Sequence, residues 1–216
     1  MDPVLLLENL AWDGVMHHSG APLLRAVTWG IAAGERWAVV GPEGCGKSTL
    51  LRLMAGLLVP TQGAVWLNGQ PCASVVNRAA AMGVLFGDPA ARFLTPVVWE
   101  EVALTPSYYG LAGDLLQQRV VEALQRVGLS AAWGRRELAT LSAAQAARVA
   151  LAAVLVMRPS LLLWDEPGAQ LSESGELALA QQLRDMTSVV FTSRMARAKL
   201  FADRLVWLEE GELRFL

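Results

Sequence analysis

The nine residues Gly41-Pro42-Glu43-Gly44-Cys45-Gly46-Lys47-Ser48-Thr49 constrain this chain more than any other stretch. The run before them, Trp37-Ala38-Val39-Val40, is unbroken and apolar, as in a strand buried on both faces. The run after them, Leu50-Leu51-Arg52-Leu53-Met54-Ala55-Gly56-Leu57, keeps a helical apolar spacing. Strand, glycine loop and helix form the context in which G-x-x-x-x-G-K-[ST] means a phosphate-binding loop. The glycines let successive backbone N–H groups of the loop converge, and the next helix adds its positive N-terminal end. Lys47 then reaches the outer phosphates, the Ser48 hydroxyl takes one position on Mg²⁺, and Thr49 closes the motif. A chance match of the fixed positions has odds of about one in a hundred in such a chain. A plain glycine-rich turn with a solvated lysine is therefore a poor account, and the loop implies a nucleoside triphosphate site with ATP and Mg²⁺ as cofactors.

At 216 residues the chain suits one α/β domain, 1–216, with an inserted subdomain. Its net charge of −2 leaves no basic footprint for nucleic acid. Although 54% of residues are hydrophobic, the longest apolar stretch, Val149 to Met157, is stopped by Arg158-Pro159. That is far short of the roughly 18–20 residues of a membrane helix. Leu5-Leu6-Leu7 ends at Glu8, so no signal peptide is expected. Two cysteines, Cys45 and Cys72, make no disulfide framework, and a reducing cytoplasm is the expected compartment. Cys45, at a helix N-terminus, is expected to favour thiolate.

Strands are expected at Val4 to Trp12, Leu24 to Ile31, Ala64 to Gly69, Val84 to Phe86, Leu161 to Trp164, Ser188 to Thr192 and Leu205 to Leu208, with a Glu210-Gly211 hairpin. The His17-His18-Ser19-Gly20 turn lacks further ligands at metal spacing and reads as a solvent-facing loop. Gly87 to Gly113, broken by Pro89, Pro96 and Pro106, reads as irregular. Asp114 caps a helix carrying Leu116, Val120, Leu124 and Val127 on one face. Further helices run from Ser142 to Met157 and near Arg194 to Ala202. Residues 88–139 form a helical subdomain inserted in a core of 1–87 and 140–216.

Leu161 to Trp164 ends in Asp165-Glu166. Asp165 can hold Mg²⁺ through a water, and Glu166 can polarise the attacking water. A solvent-facing carboxylate pair is the better account of Asp-Glu in isolation, but it loses ground beside a phosphate loop.

The phosphate loop, Leu141-Ser142-Ala143-Ala144-Gln145 ahead of Leu161-Leu162-Leu163-Trp164-Asp165-Glu166-Pro167, and the ending Ala202-Asp203-Arg204-Leu205-Val206-Trp207-Leu208-Glu209-Glu210-Gly211 together resemble an ABC-transporter ATPase. Val84-Leu85-Phe86-Gly87-Asp88-Pro89 with Thr95-Pro96-Val97-Val98-Trp99-Glu100-Glu101-Val102 is most similar to the energy-coupling factor and cobalt-type importers. The resemblance implies a P-loop α/β fold with a mainly parallel sheet, an N-terminal antiparallel β subdomain and the helical insertion. It implies a dimer in which Ser142 meets the ATP of the partner subunit, and an integral membrane partner docked near Phe93 to Tyr109. It also implies a place on the inner face of the cell membrane.

Departures accompany it. Ala143 and Ala144 stand where the family has the signature glycines, Gly87 at the Q-loop glutamine, Ser172 at the D-loop aspartate and Ser193 at the switch histidine. The adenine-stacking tyrosine falls on Gly14, leaving Trp12 or a histidine to substitute. These losses imply the weaker half of a heterodimer, or else a nucleotide-binding regulatory subunit. A nucleic-acid ABC ATPase is disfavoured by the acidic balance, and a small-molecule kinase by the Leu-Ser-x-x-Gln helix.

Overall fold

The computed structural model describes residues 2–16, 22–72, 78–87 and 93–216. The histidine turn at 17–20 and Asp88-Pro89 lie outside them.

Two sheets share the chain. Strands β1 (Leu5–Met16), β2 (Pro22–Ile31), β4 (Gln62–Leu67) and β5 (Gln70–Pro71) form an antiparallel sheet in the order β2-β1-β4-β5. The second sheet has the order β10-β9-β3-β8-β7-β6, built from β3 (Arg36–Val40), β6 (Met82–Leu85), β7 (Leu161–Asp165), β8 (Ser188–Thr192), β9 (Arg204–Glu209) and β10 (Glu212–Phe215). It is parallel except for β10, which returns against β9 through the Glu210-Gly211 turn.

The apolar runs of β3 and β7 are explained by burial on both faces. Val39, Leu161 and Leu163 face one core, where helix α1 (Lys47–Met54) lays Leu50, Leu51, Leu53 and Met54 between the sheets against Leu5, Leu7, Leu10 and Ile31. Ala38, Val40, Leu162 and Trp164 point the other way, into a helical layer. That layer contains α3 (Val98–Tyr108), α4 (Gly113–Arg126), α5 (Ala143–Leu155), α6 (Glu173–Gln182) and α7 (Met195–Phe201). The remaining helix, α2 (Arg78–Ala81), is a single turn leading into β6. Trp29, Trp37 and Phe215 meet edge to face at 5.3–5.9 Å and join the two sheets.

Four points of the sequence reading need correction. Gly87 to Gly113 is not irregular throughout, because α3 occupies Val98–Tyr108 with Pro106 inside it. The proline sits in the last turn, where its fixed φ is helical and its missing N–H costs the ladder one bond, that to the carbonyl four residues upstream. Asp114 is not the cap of α4; Ala112 holds that position and Asp114 sits in the first turn, where its charge meets the positive helix end. The helix α6, whose apolar residues hardly segregate to one side, was missed. Ser142 caps α5 rather than opening it: its hydroxyl accepts from the Gln145 N–H at 3.3 Å and the Gln145 side chain accepts from the Ser142 N–H at 3.0 Å.

Candidate functional site: a phosphate cradle beside two carboxylates

The carboxyl ends of β3, β7 and β8 lie side by side in the parallel sheet, and the loops leaving them meet there. The crevice outside strand ends is where open α/β sheets hold ligands. A cleft of about 480 Å³ opens at this edge, lined by Glu43, Gly44, Gly46, Lys47, Ser48, Thr49, Asp165, Glu166 and Ser193.

Gly44 and Gly46 have φ of 78° and 105°, and Gly46 stands at the N-cap of α1 in the left-handed region. No side chain caps that helix and no acid occupies its first turn, so its positive end is left for an external anion. Gly41 is needed for a second reason: a Cβ there lies 2.2 Å from the Leu208 carbonyl and 2.8 Å from the Cys45 sulfur. Lys47 is buried, and its ammonium donates to the carbonyls of Gly41 (2.8 Å) and Pro42 (2.7 Å), holding the loop closed on itself.

Cys45 overturns its expectation. It is 4% exposed, and burial pushes its thiol up despite the nearby Lys47 charge. Desolvation outweighs both that charge and the N–H groups of Lys47 and Cys45 that favour the thiolate.

The Ser48 hydroxyl donates to Asp165 at 3.0 Å, tying α1 to the tip of β7. Burial pushes the Asp165 carboxyl up, the Glu166 charge adds to this, and Ser48, Lys47 and Arg52 oppose it. No group of three or more His, Cys, Asp or Glu side chains fit to hold a metal occurs among the described residues. A hydroxyl and a carboxylate 3.0 Å apart beside a phosphate cradle are nevertheless the hard oxygen donors Mg²⁺ takes, with phosphates and waters completing its shell.

Glu166 adopts a left-handed φ of 47°. Its backbone N–H donates to Phe191 at 2.8 Å, and its carboxylate receives Thr192 Oγ1 (3.0 Å), Ser193 N–H (2.9 Å), Ser193 Oγ (3.4 Å) and Arg197 Nη1 (3.0 Å). Thr192 and Arg197 were not singled out from sequence.

The substituted positions are engaged elsewhere. Ser172 caps α6, accepting from Gly175 N–H at 3.3 Å. The Gly87 carbonyl accepts from Gln170 Nε2 at 3.1 Å. Trp12 lies across Gly14, where a Cβ would come within 2.5 Å of its ring. Ser142 does not line the cleft.

A glycine cradle at a helix N-terminus, a lysine folded into it and a Ser–Asp pair joining that helix to the tip of a neighbouring strand define a phosphate-loop nucleotide-binding protein. A family model described as ABC transporter matches residues 24–169. The energy-coupling factor transporter ATP-binding protein EcfA2 of Symbiobacterium thermophilum is 35% identical over 222 residues, covering 96% of this chain and 77% of that protein. EcfA2 of Methanospirillum hungatei is 31% identical over 222 residues and is longer; the chain spans 55% of it. Among solved structures, cbiO1 of Clostridium perfringens, described as part of the ABC transporter complex cbiONQ, superposes with a TM-score of 0.87 at 28% identity, covering 99% of this chain and 88% of that one. A dimeric ATP-binding cassette in a post-hydrolysis state with ADP and Pi superposes with a TM-score of 0.85 at 26% identity, covering 98% and 97%. The chain belongs to the ABC transporter ATPase family. It is an ATP-binding subunit and ATP hydrolase of that family, close to the ATPases of energy-coupling factor transporters. No helix among the described residues is long and apolar enough to cross a membrane.

Proposed function

We propose that this chain is the weaker ATPase half of a heterodimer that energises an integral membrane importer of the energy-coupling factor type. One observation carries the reading. A complete phosphate cradle with its Ser48–Asp165 pair stands in the same chain as Ala143, Ala144, Gly87, Ser172 and Ser193 at positions that complete such sites.

In this reading the backbone of Gly41, Pro42, Glu43, Gly44, Cys45 and Gly46 cradles the phosphates, and Lys47 leaves its loop carbonyls to neutralise them. Ser48 and Asp165 hold Mg²⁺, which shields phosphate charge when bound. Glu166 serves as proton acceptor for the attacking water, and Trp12 supplies the adenine platform. Ser142, at the N-terminus of α5, faces the ATP of the partner subunit, with the Ala143 and Ala144 methyls crowding that approach. Residues 88–139 act as the helical subdomain on which the membrane partner docks at the cytoplasmic face. Within that stretch Leu94 is 81% and Tyr108 86% exposed, whereas Val98 is fully buried and Trp99 packs against the core.

A regulatory, nearly inactive nucleotide-binding subunit is the second reading, favoured by the four donors that already occupy Glu166. Both readings require the cradle to bind nucleotide. Lys47→Ala removes a buried charge-assisted contact worth roughly 1.5–3 kcal/mol, so Mg-ATP affinity falls by about one to two powers of ten. Calorimetry showing Lys47→Ala binding as tightly as the parent defeats both.

A further inference from the structure

Arg197, the third residue of α7, is 7% exposed and carries two carboxylates. Its Nη1 donates to Glu166 Oε2 at 3.0 Å, and its Nη2 to Glu176 Oε1 on α6 at 2.8 Å. Its Nε is fully buried and finds no partner among the described residues. The guanidinium is thus held as a bridge between the strand-end glutamate and a neighbouring helix.

An ionised carboxylate offers about four lone-pair sites, two on each oxygen. Ser193 N–H takes one of those of Oε1 at 2.9 Å with its Oγ at 3.4 Å beside it, and Thr192 Oγ1 and Arg197 Nη1, both at 3.0 Å, take those of Oε2. To take a proton from water as that water's oxygen bonds to the terminal phosphorus and ADP departs, Glu166 must present a free lone pair. Of the four donors, Arg197 alone is a full charge, and it is anchored from behind by Glu176. It is the contact most costly to break.

We propose that Arg197 is a latch on Glu166: a positioning residue that holds the carboxylate back toward α6 and Glu176, so its reach to an attacking water waits on rupture of this ion pair. The inference rests on the reading of Glu166 as proton acceptor. It adds a brake to the site itself, separate from the substitutions at Ala143, Ala144, Gly87 and Ser193. Because Arg197 also grips α6, a shift of α6 relative to α7 is what opens the latch.

The test uses the full chain. Arg197→Leu alone leaves Glu176 unpaired in a mostly buried place, so Arg197→Leu with Glu176→Leu is the principal variant and Arg197→Lys the conservative one. With Mg-ATP, the double variant releases phosphate about tenfold faster at saturation, the gain that losing one charge-assisted contact implies, with KM unchanged. Arg197→Lys, keeping a cation near Glu166, stays close to the parent rate. Adding Glu166→Gln to the double variant abolishes the gain. Without nucleotide, Glu166→Gln lowers the urea midpoint of the parent but not that of the double variant, since only the parent has a buried guanidinium that loses one of its two carboxylates. A double variant that turns over no faster than the parent, or additive midpoints, overturns the latch. Failure of every form, the parent included, to bind Mg-ATP in calorimetry overturns the nucleotide reading and the latch together, whereas binding without a gain in rate overturns the latch alone.

Discussion

Asp165 carries opposed demands. Its place at the tip of β7 suits a cation, yet without one burial raises its pKa above the ordinary carboxylate value. Between the unfolded value and that raised one the folded chain binds more protons, so stability falls as pH rises through this window. Above the window the cost of the buried charge is fully present; below the ordinary carboxylate range it is absent. Asp165→Asn therefore raises the unfolding midpoint of the nucleotide-free chain at pH 7, while weakening the Mg²⁺ dependence of ATP binding. Denaturant titrations at pH 7 and pH 3.5 check the sign: an advantage equal at both values removes the electrostatic account. Cys45 follows the same logic with the opposite consequence for reactivity. Buried at 4% exposure and pushed toward the thiol, it resists maleimide in the folded chain with or without Mg-ATP, as does Cys72 at 1%. Mass spectrometry before and after unfolding measures this, and rapid labelling of native Cys45 is the contrary result.

At the scale of elements, what the sequence made legible was whatever burial imposed on consecutive residues. Strands β3 and β7 announce themselves because both faces are covered, and α1 because Leu50, Leu51, Leu53 and Met54 all enter one core. The phosphate cradle and the Ser48–Asp165 pair followed from those elements. Helix α3 was hidden by Pro106 and α6 by its lack of an apolar stripe; in both, tertiary packing supplies what local pattern withholds. Arg197 could not be read at all. Its meaning lies in partners 31 and 21 residues away, joined only by the crossing of β7, α6 and α7. The same distinction between covered and uncovered positions sharpens the docking expectation. Val98 is fully buried and belongs to the core of α3, whereas Leu94 and Tyr108 stand out from it. Leu94→Asp and Tyr108→Asp change stability by no more than about 0.5 kcal/mol, as exposed substitutions do. They nevertheless reduce recovery of a membrane subunit in native co-purification. Unfolding midpoints beside the purification yield separate the two effects, and undiminished recovery places the docking surface elsewhere.

For the whole molecule the question is where turnover occurs. In the proposed reading, a homodimer of this chain has two identical sites, each joining Lys47, Asp165 and Glu166 to an opposing Ala143-Ala144, without a Q-loop glutamine or a switch histidine. Losing one preorganised transition-state contact typically costs about 10²–10³ in rate, and several lost together need not add. The purified chain therefore binds Mg-ATP and releases phosphate very slowly. Paired with an intact homologous subunit, the two sites differ. The site built on the partner's phosphate loop keeps that subunit's own glutamine and histidine and meets Ala143 and Ala144 in place of the signature glycines. The site built on this chain's loop gains a proper signature but keeps Gly87 and Ser193. Ala143→Gly with Ala144→Gly therefore raises heterodimer turnover more than Ser193→His, because it repairs a site that already has its glutamine and histidine, whereas Ser193→His leaves Gly87 in place. Each glycine also weakens the first turn of α5, by roughly 0.5–1 kcal/mol relative to alanine, so the gain must appear despite a modest loss of stability. Gly87→Gln is the companion variant, since a Cβ there meets no atom of the described residues within 4 Å. It improves the other site only, and its effect adds to that of the signature repair. Steady-state phosphate release, for this chain alone and mixed with its partner, reads all of these. Brisk, Glu166-dependent hydrolysis by the chain alone ends the weaker-half reading and makes it a self-sufficient ATPase.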